Sequence, residues 1–459
     1  MSAFNSQAPS YTRNIEDKAT SANPLEPLMV SSLQLAVFLV AHVALALLAR
    51  QSSAIASAHA YVTLAVALLW AATKTPTHRI AYAIAYITGA EVFWRMTEAR
   101  VFWEFGKYAV VAVLLMTFFR IRVVKIPLLP FLYFLLLLPS AVQTIAELPL
   151  NTAREQISFN LSGPLAVLIC AVFFRNIQLT QAQIKTMLLS LVLPITAIAT
   201  VALAGIVTAP SITWVNDSNF ATSGGFGPNQ VSSALGLGAL SLWLMLLLGT
   251  PRHRLLLLIL SLWLLIQAML TFSRGGVLNV VVAMLGVILY LWSQDRERLG
   301  RLLPVAAILL LVAYAVFPVI DSATNNMLSV RFSDTNLTNR DEIARANFEL
   351  FSRHPITGVG VGLAPLKGAF RAAAHTEFTR LLAEHGVLGL LSLGLLILAA
   401  TRNLAHKRLQ TNDSVLLIAA ALWSLAFMTN AAMRTVAPSL MIGLTFMANS
   451  SKRESEWRQ

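Results

Sequence analysis

Histidine is the side chain whose unperturbed titration lies closest to neutral pH. His375 stands in AAAHTEFTRLLAEHGVLGLL (372–391), just ahead of an apolar run. A titratable ring at that boundary is a candidate for proton transfer at a membrane surface. Arginine brings a planar five-donor fork suited to phosphate, and it recurs in the polar parts of the same half of the chain. Arg274 lies in TFSRGG between two apolar runs, flanked by small residues that allow a backbone or a ligand to approach. Arg340 is expected at the start of a helix, where a positive side chain opposes the macrodipole, and Arg331 and Arg345 are its neighbours in sequence. Each has a bland alternative: snorkelling to headgroups for Arg274, a solvated surface for the others, a structural histidine for His375. Arg345, with Glu342 and Glu349 at helical spacing, reads as an intrahelical ion pair.

Other stretches carry weaker signals. EVFWRMTEARVFWEFGK (91–107) packs charges of both signs among aromatic rings. An aromatic belt explains the rings, while charges at membrane depth pair or line a cavity, so Arg95 and Glu98 are second-rank site candidates. TSGGFGPNQ (222–230) reads as a glycine-rich turn entering a helix rather than as a phosphate cradle. His354, before Pro355, marks a helix stop, and His385, beside Gly386, is expected at the interface. No HExxH, paired Asp-x-Asp or cysteine cluster appears, so the sequence offers no metal site and no cofactor is expected.

These residues must be positioned by helices. Of 459 residues, 57% are hydrophobic and 12% charged, against about 25% charged in a soluble domain. Apolar runs long enough for a hydrocarbon core recur from Leu28 onward, giving an all-α polytopic transmembrane protein of about 12 to 14 spans. The expected organisation is a cytoplasmic disordered tail (1–27), a first transmembrane part (28–320), a periplasmic loop with short helices (321–385), further spans (386–450) and a second cytoplasmic tail (451–459). The segments 80–97 and 104–119 read as a hairpin that stops short of crossing, and the last two spans as a re-entrant pair. Most of the 34 Lys and Arg residues collect in alternate connections, which puts both termini inside and the long loop outside. The same bias accounts for the net charge of +13 without nucleic acid. The single cysteine, Cys170, falls in an apolar run and reads as packing.

Within the long loop, Asn339 and Glu342 suggest a capping box, and Ile343, Asn347, Leu350 and Phe351 share one helical face. GVGVG (358–362) follows as a tight backbone passage, and a second helix is expected to carry His375, Phe378 and Leu382 on one face.

Taken together, FSRGG, NRDEIARANFELFSRHPITGVGVG and AHTEFTRLLAEHGVLGLL resemble the O-antigen ligase and polymerase superfamily over roughly residues 220–400. The last stretch is similar to the ligase pattern of His, then Asn, Ser or Gln, nine residues, then Gly-x-x-Gly; here it runs His375, Thr376, nine residues, Gly386 and Gly389. The resemblance implies a GT-C-like membrane glycosyltransferase, inverting and metal-independent, on the periplasmic side of a bacterial inner membrane. The donor would be an undecaprenyl-pyrophosphate-linked glycan, and the acceptor a lipid A-core sugar or, in a polymerase, the growing glycan. Membrane lipids are the remaining partner. By the same resemblance Arg274 and Arg340 would hold the pyrophosphate and His375 would be the general base. A protein O-glycosylating enzyme, a transporter with its essential charges near Glu91 and Arg95, and a non-catalytic scaffold are the competing classes.

Overall fold

The computed structural model describes residues 31–121, 124–249, 253–336, 340–369, 374–405 and 411–447. Both expected tails, and Asn339 of the expected capping box, lie outside these residues. Every regular element described is helical: α1 (Ser32–Gln51), α2 (Ser53–Ala72), α3 (Thr77–Met96), α4 (Phe105–Phe118), α5 (Leu128–Leu137), α6 (Pro139–Glu147), α7 (Leu150–Asn176), α8 (Gln181–Thr208), α9 (Pro228–Leu247), α10 (Arg254–Leu270), α11 (Arg274–Gln294), α12 (Arg296–Ala323), α13 (Met327–Ser333), α14 (Arg340–Arg353), α15 (Ala364–Lys367), α16 (Glu377–Thr401), α17 (Thr411–Asn430) and α18 (Ala437–Leu444). Helices are what a lipid interior dictates, because they satisfy their own backbone hydrogen bonds.

Among the described residues nine helical stretches are long and apolar enough to cross a bilayer, and α4, α10 and the Tyr314–Ala323 part of α12 are shorter apolar helices. Helices α7, α8 and α9 are mostly buried and form the centre, whereas α1 and α2 are mostly uncovered. Leu33, Val40, Val62 and Leu69 are exposed on α1 and α2, an apolar surface that a lipid environment would cover. Helix α8 packs against α3 and α9, α11 lies between α9 and α17, and α18 packs on α7. A buried hydrogen-bond chain ties α1, α2 and α3 together: Tyr86 Oη lies 2.9 Å from both His42 Nε2 and His59 Nε2, and Trp94 Nε1 donates to His59 Nδ1 at 2.9 Å.

Two expectations change in detail. The span expected from 386 begins at Glu377 and runs through a break at Gly386, whose φ is 61°. Helix α18 has only eight residues, shorter than the expected final span. The break at Gly386 has a physical cause in the GVGVG passage. Val359 N donates to Ala383 O at 2.9 Å, Gly360 N to Glu384 O at 3.1 Å and Val387 N to Pro355 O at 2.7 Å, so the loop backbone takes over bonds that the opened helix leaves unmade. Gly358, with φ 69°, sits against the Glu384 backbone so closely that a Cβ would overlap it. This notch fixes the loop to α16 at Ala383, Glu384 and Val387, on the helix that follows His375.

In α14 the expected face is confirmed for Ile343, Asn347 and Leu350, which are buried, and the helix ends at Arg353 before His354-Pro355. Cys170 is fully buried in the core.

Candidate active site

Arg274 opens α11 directly after the turn that ends α10. Ser273 Oγ donates to Asn229 Oδ1 at 2.7 Å and Ser232 Oγ donates to Ser273 O at 2.9 Å, which pins this turn to α9. The small residues after Arg274 serve helix packing: Gly276 lies against the Ser232 backbone and Gly275 against Asn430. The guanidinium of Arg274 donates to the carbonyls of Asp334 and Asn336, joining α11 to the loop after α13. A five-donor fork still has N–H groups left for an anion after those two bonds.

Arg331 is almost fully buried and donates from Nε to Phe272 O at 2.9 Å and from a terminal nitrogen to Asn216 O at 3.3 Å. It also faces the exposed Asp217 at 3.9 Å. Its partners mark it as a brace for the α10–α11 turn. Arg340 is different. It starts α14 as expected, is partly buried, and makes no hydrogen bond or ion pair among the described residues. Burial and then the charges of Arg274, Arg331 and Arg434 lower its proton affinity, with Asp217 offsetting little. Like charges that act on one another repel, more strongly where water is partly excluded, so a bound anion would relieve the repulsion on Arg340.

His375 lies one residue before the N-cap of α16 rather than on the helix, which corrects the expectation that it shares a helical face with Phe378 and Leu382. Thr376 is that N-cap, accepting from Phe378 N at 3.1 Å. Capping is a job that Ser and Asn also do well, so threonine keeps the physical role of the residue after the histidine. The ring is partly buried, and burial, then Arg340, then Arg434 push its pKa down to about 4. It is therefore neutral at physiological pH, the form a base requires.

Arg434 is the member that sequence reasoning missed. It lies between α17 and α18 and donates to Ala374 O at 2.9 Å, the carbonyl next to His375. Its loop is held from two sides by buried ion pairs. On one side Glu91 and Arg95 pair at 2.7 Å; Arg95 donates to Arg434 O at 3.0 Å, and Glu91 Oε2 accepts from Val436 N at 2.7 Å. On the other, Arg380 bridges Glu377 at 2.5 Å and Glu384 at 2.7 Å, and Glu377 accepts from Met433 N at 3.3 Å. A readable signal was present: an arginine among small residues between two apolar runs, as at Arg274.

The remaining candidates fall outside the cluster. Arg345 pairs with Asp341 at 4.0 Å on the exposed face of α14, an intrahelical pair as expected but with a different acid, because Glu349 is taken by Arg353. Arg95 pairs with Glu91 and not with Glu98, which is exposed at the turn after α3. His385 is fully buried, with Nδ1 2.9 Å from Ser140 Oγ, so its expected interfacial position is wrong; the Gly386 break carries it into the contact with α6.

The fold and this site define a polytopic helical membrane protein with a set of arginines that act electrostatically on one another and on a partly buried histidine. Residues 256–394 match the family described as O-Antigen ligase, which supports the resemblance to the O-antigen ligase and polymerase superfamily. That stretch includes Arg274, Arg331, Arg340 and His375 but ends before Arg434. No curated protein matches the chain.

Proposed function

We propose that the chain is a glycosyltransferase that moves a glycan from an undecaprenyl-pyrophosphate carrier to a hydroxyl of a lipid A-core sugar. The reaction takes place at the periplasmic face of a bacterial inner membrane. The reading is supported by the charges of Arg274, Arg331 and Arg434 that act on Arg340, which has no hydrogen bond or ion pair among the described residues, and by the bond from Arg434 to the carbonyl next to His375. In this reading the long loop 321–385 is periplasmic and both termini are cytoplasmic.

The chemistry is a displacement at the anomeric carbon. The acceptor oxygen forms a bond to that carbon from the side opposite the phosphate, the carbon–oxygen bond to the pyrophosphate breaks, and the lipid pyrophosphate leaves with the electron pair. The acceptor proton passes to a ring nitrogen of His375. Arg340 and Arg434, with the free donors of Arg274, stabilise the charge that grows on the leaving group, an electrostatic task for preorganised donors. Arg331 positions the Arg274 turn. Inversion follows from a single displacement, and the guanidinium groups supply the positive charge without a divalent cation.

A reconstituted assay tests this directly. Full-length protein in nanodiscs receives a lipid-pyrophosphate glycan and either lipid A-core or a second lipid-linked glycan as acceptor. Product on lipid A-core is expected. Product on the lipid-linked glycan alone would make the chain a polymerase, and no product with either acceptor would overturn the transfer reading.

A further inference from the structure

A cleft of about 910 Å³ opens between α4, the start of α7 and α15, away from the helices that carry Arg274, Arg331 and Arg340. Its walls combine the exposed rings of Phe102 and Trp103 with Tyr108 and Phe159, and with the charged groups of Arg154 and Glu155. Arg154 and Glu155 are exposed and in no ion pair among the described residues. Gln156, Phe159, Gly362 and Pro365 continue from this cleft into a smaller cavity of about 50 Å³, which is closed by Ala374 and Arg434. The smaller cavity thus reaches Ala374, the residue before His375, and Arg434.

We infer that this cleft binds the sugar chain of the acceptor, a neutral or mixed-charge oligosaccharide of several residues. The inference rests on the transfer reading and names the substrate class of one side of that site. Aromatic faces cover the C–H faces of pyranose rings, while amide, carboxylate and guanidinium groups take their hydroxyls. A lipid chain would leave the charges of Arg154 and Glu155 desolvated and unpaired, at high cost. Charges of both signs disfavour a polyanion, which belongs with the all-cationic cluster. The volume is at the upper end of the roughly 300–1,000 Å³ typical of ligand pockets, so it exceeds what one sugar needs.

The test uses two single variants with exposed side chains, Phe102→Ala and Arg154→Ala, in full-length protein in nanodiscs. Two delipidated probes, core oligosaccharide and the repeat glycan, are titrated by calorimetry, and transfer is measured with varied donor and varied acceptor. The expected result is saturable binding of core oligosaccharide that each variant weakens by about 10-fold or more, with a matching rise in acceptor KM and donor KM within about 2-fold. Binding of neither probe to the native chain would overturn the inference. So would variants that raise donor KM in place of acceptor KM, or that change neither. Failure of the transfer reading would show separately, as binding of core oligosaccharide to the cleft without any transfer.

Discussion

Donor binding should raise the pKa of His375. In the free protein this pKa is pushed down to about 4, first by burial, then by Arg340, then by Arg434. Burial is the largest of these effects, and the two arginines add to it. A bound pyrophosphate would offset both arginines while leaving burial in place, so the ring should recover part of the drop, on the order of 1 pH unit. The sign is fixed by the role: the neutral ring is the base, and protonation at low pH removes activity. The acid limb of kcat/KM reports the free enzyme and that of kcat the donor complex. The kcat limb should therefore lie above the kcat/KM limb, and Arg340→Gln should raise the kcat/KM limb by about 1 pH unit or less. Both phosphates of such a donor are esterified, so neither confuses the reading near neutrality. The assay is transfer at saturating and at limiting donor across the acid range. A kcat limb at or below the kcat/KM limb, or a limb lowered by Arg340→Gln, would refute the electrostatic coupling.

Other expectations follow from particular contacts. Arg340→Gln should weaken donor binding yet leave Tm unchanged or raise it, since Arg340 has no ion pair to lose among the described residues and like-charge repulsion is relieved; a fall in Tm would make it a structural residue. Arg434→Gln should weaken donor binding by roughly 10- to 100-fold, the range for losing a charge-assisted hydrogen bond, in a direct titration. Thr376→Ser should keep activity and stability, whereas Thr376→Ala should cost about 1 kcal/mol in denaturation through loss of the α16 cap. Gly358→Ala should prevent the loop from seating on α16, seen as protease sensitivity between α14 and α16, because its φ of 69° and the Glu384 backbone both exclude a Cβ. Transfer should also persist in excess chelator, and rescue of a chelated enzyme by Mg²⁺ or Mn²⁺ would contradict the all-arginine account.

Hydropathy made the helices legible because a bilayer imposes length and composition on each span. Candidates for the site were partly legible, since Arg274 and His375 sit where apolar runs meet polar stretches and Arg340 stands at a readable helix start. What stayed hidden depends on tertiary contact. The turn with Arg434 is fixed by Glu91, Arg95 and Glu377, residues on α3 and α16 whose meeting no local pattern announces. The burial of His385 likewise follows from a break at Gly386 that exists only because Gly358 and its neighbours dock there. Arg331 and Arg340 look alike in sequence; only the carbonyls of Phe272 and Asn216 distinguish the brace from the cation that has no partner among the described residues.

The most direct measurement is single-turnover transfer by His375→Ala against the native chain, at equal folded amounts and with donor binding titrated in parallel. The account predicts donor affinity within about 3-fold of native and a transfer rate lower by about 10²–10⁴-fold, as for loss of a general base. Native-like transfer by His375→Ala would remove the base from the mechanism and contradict the account.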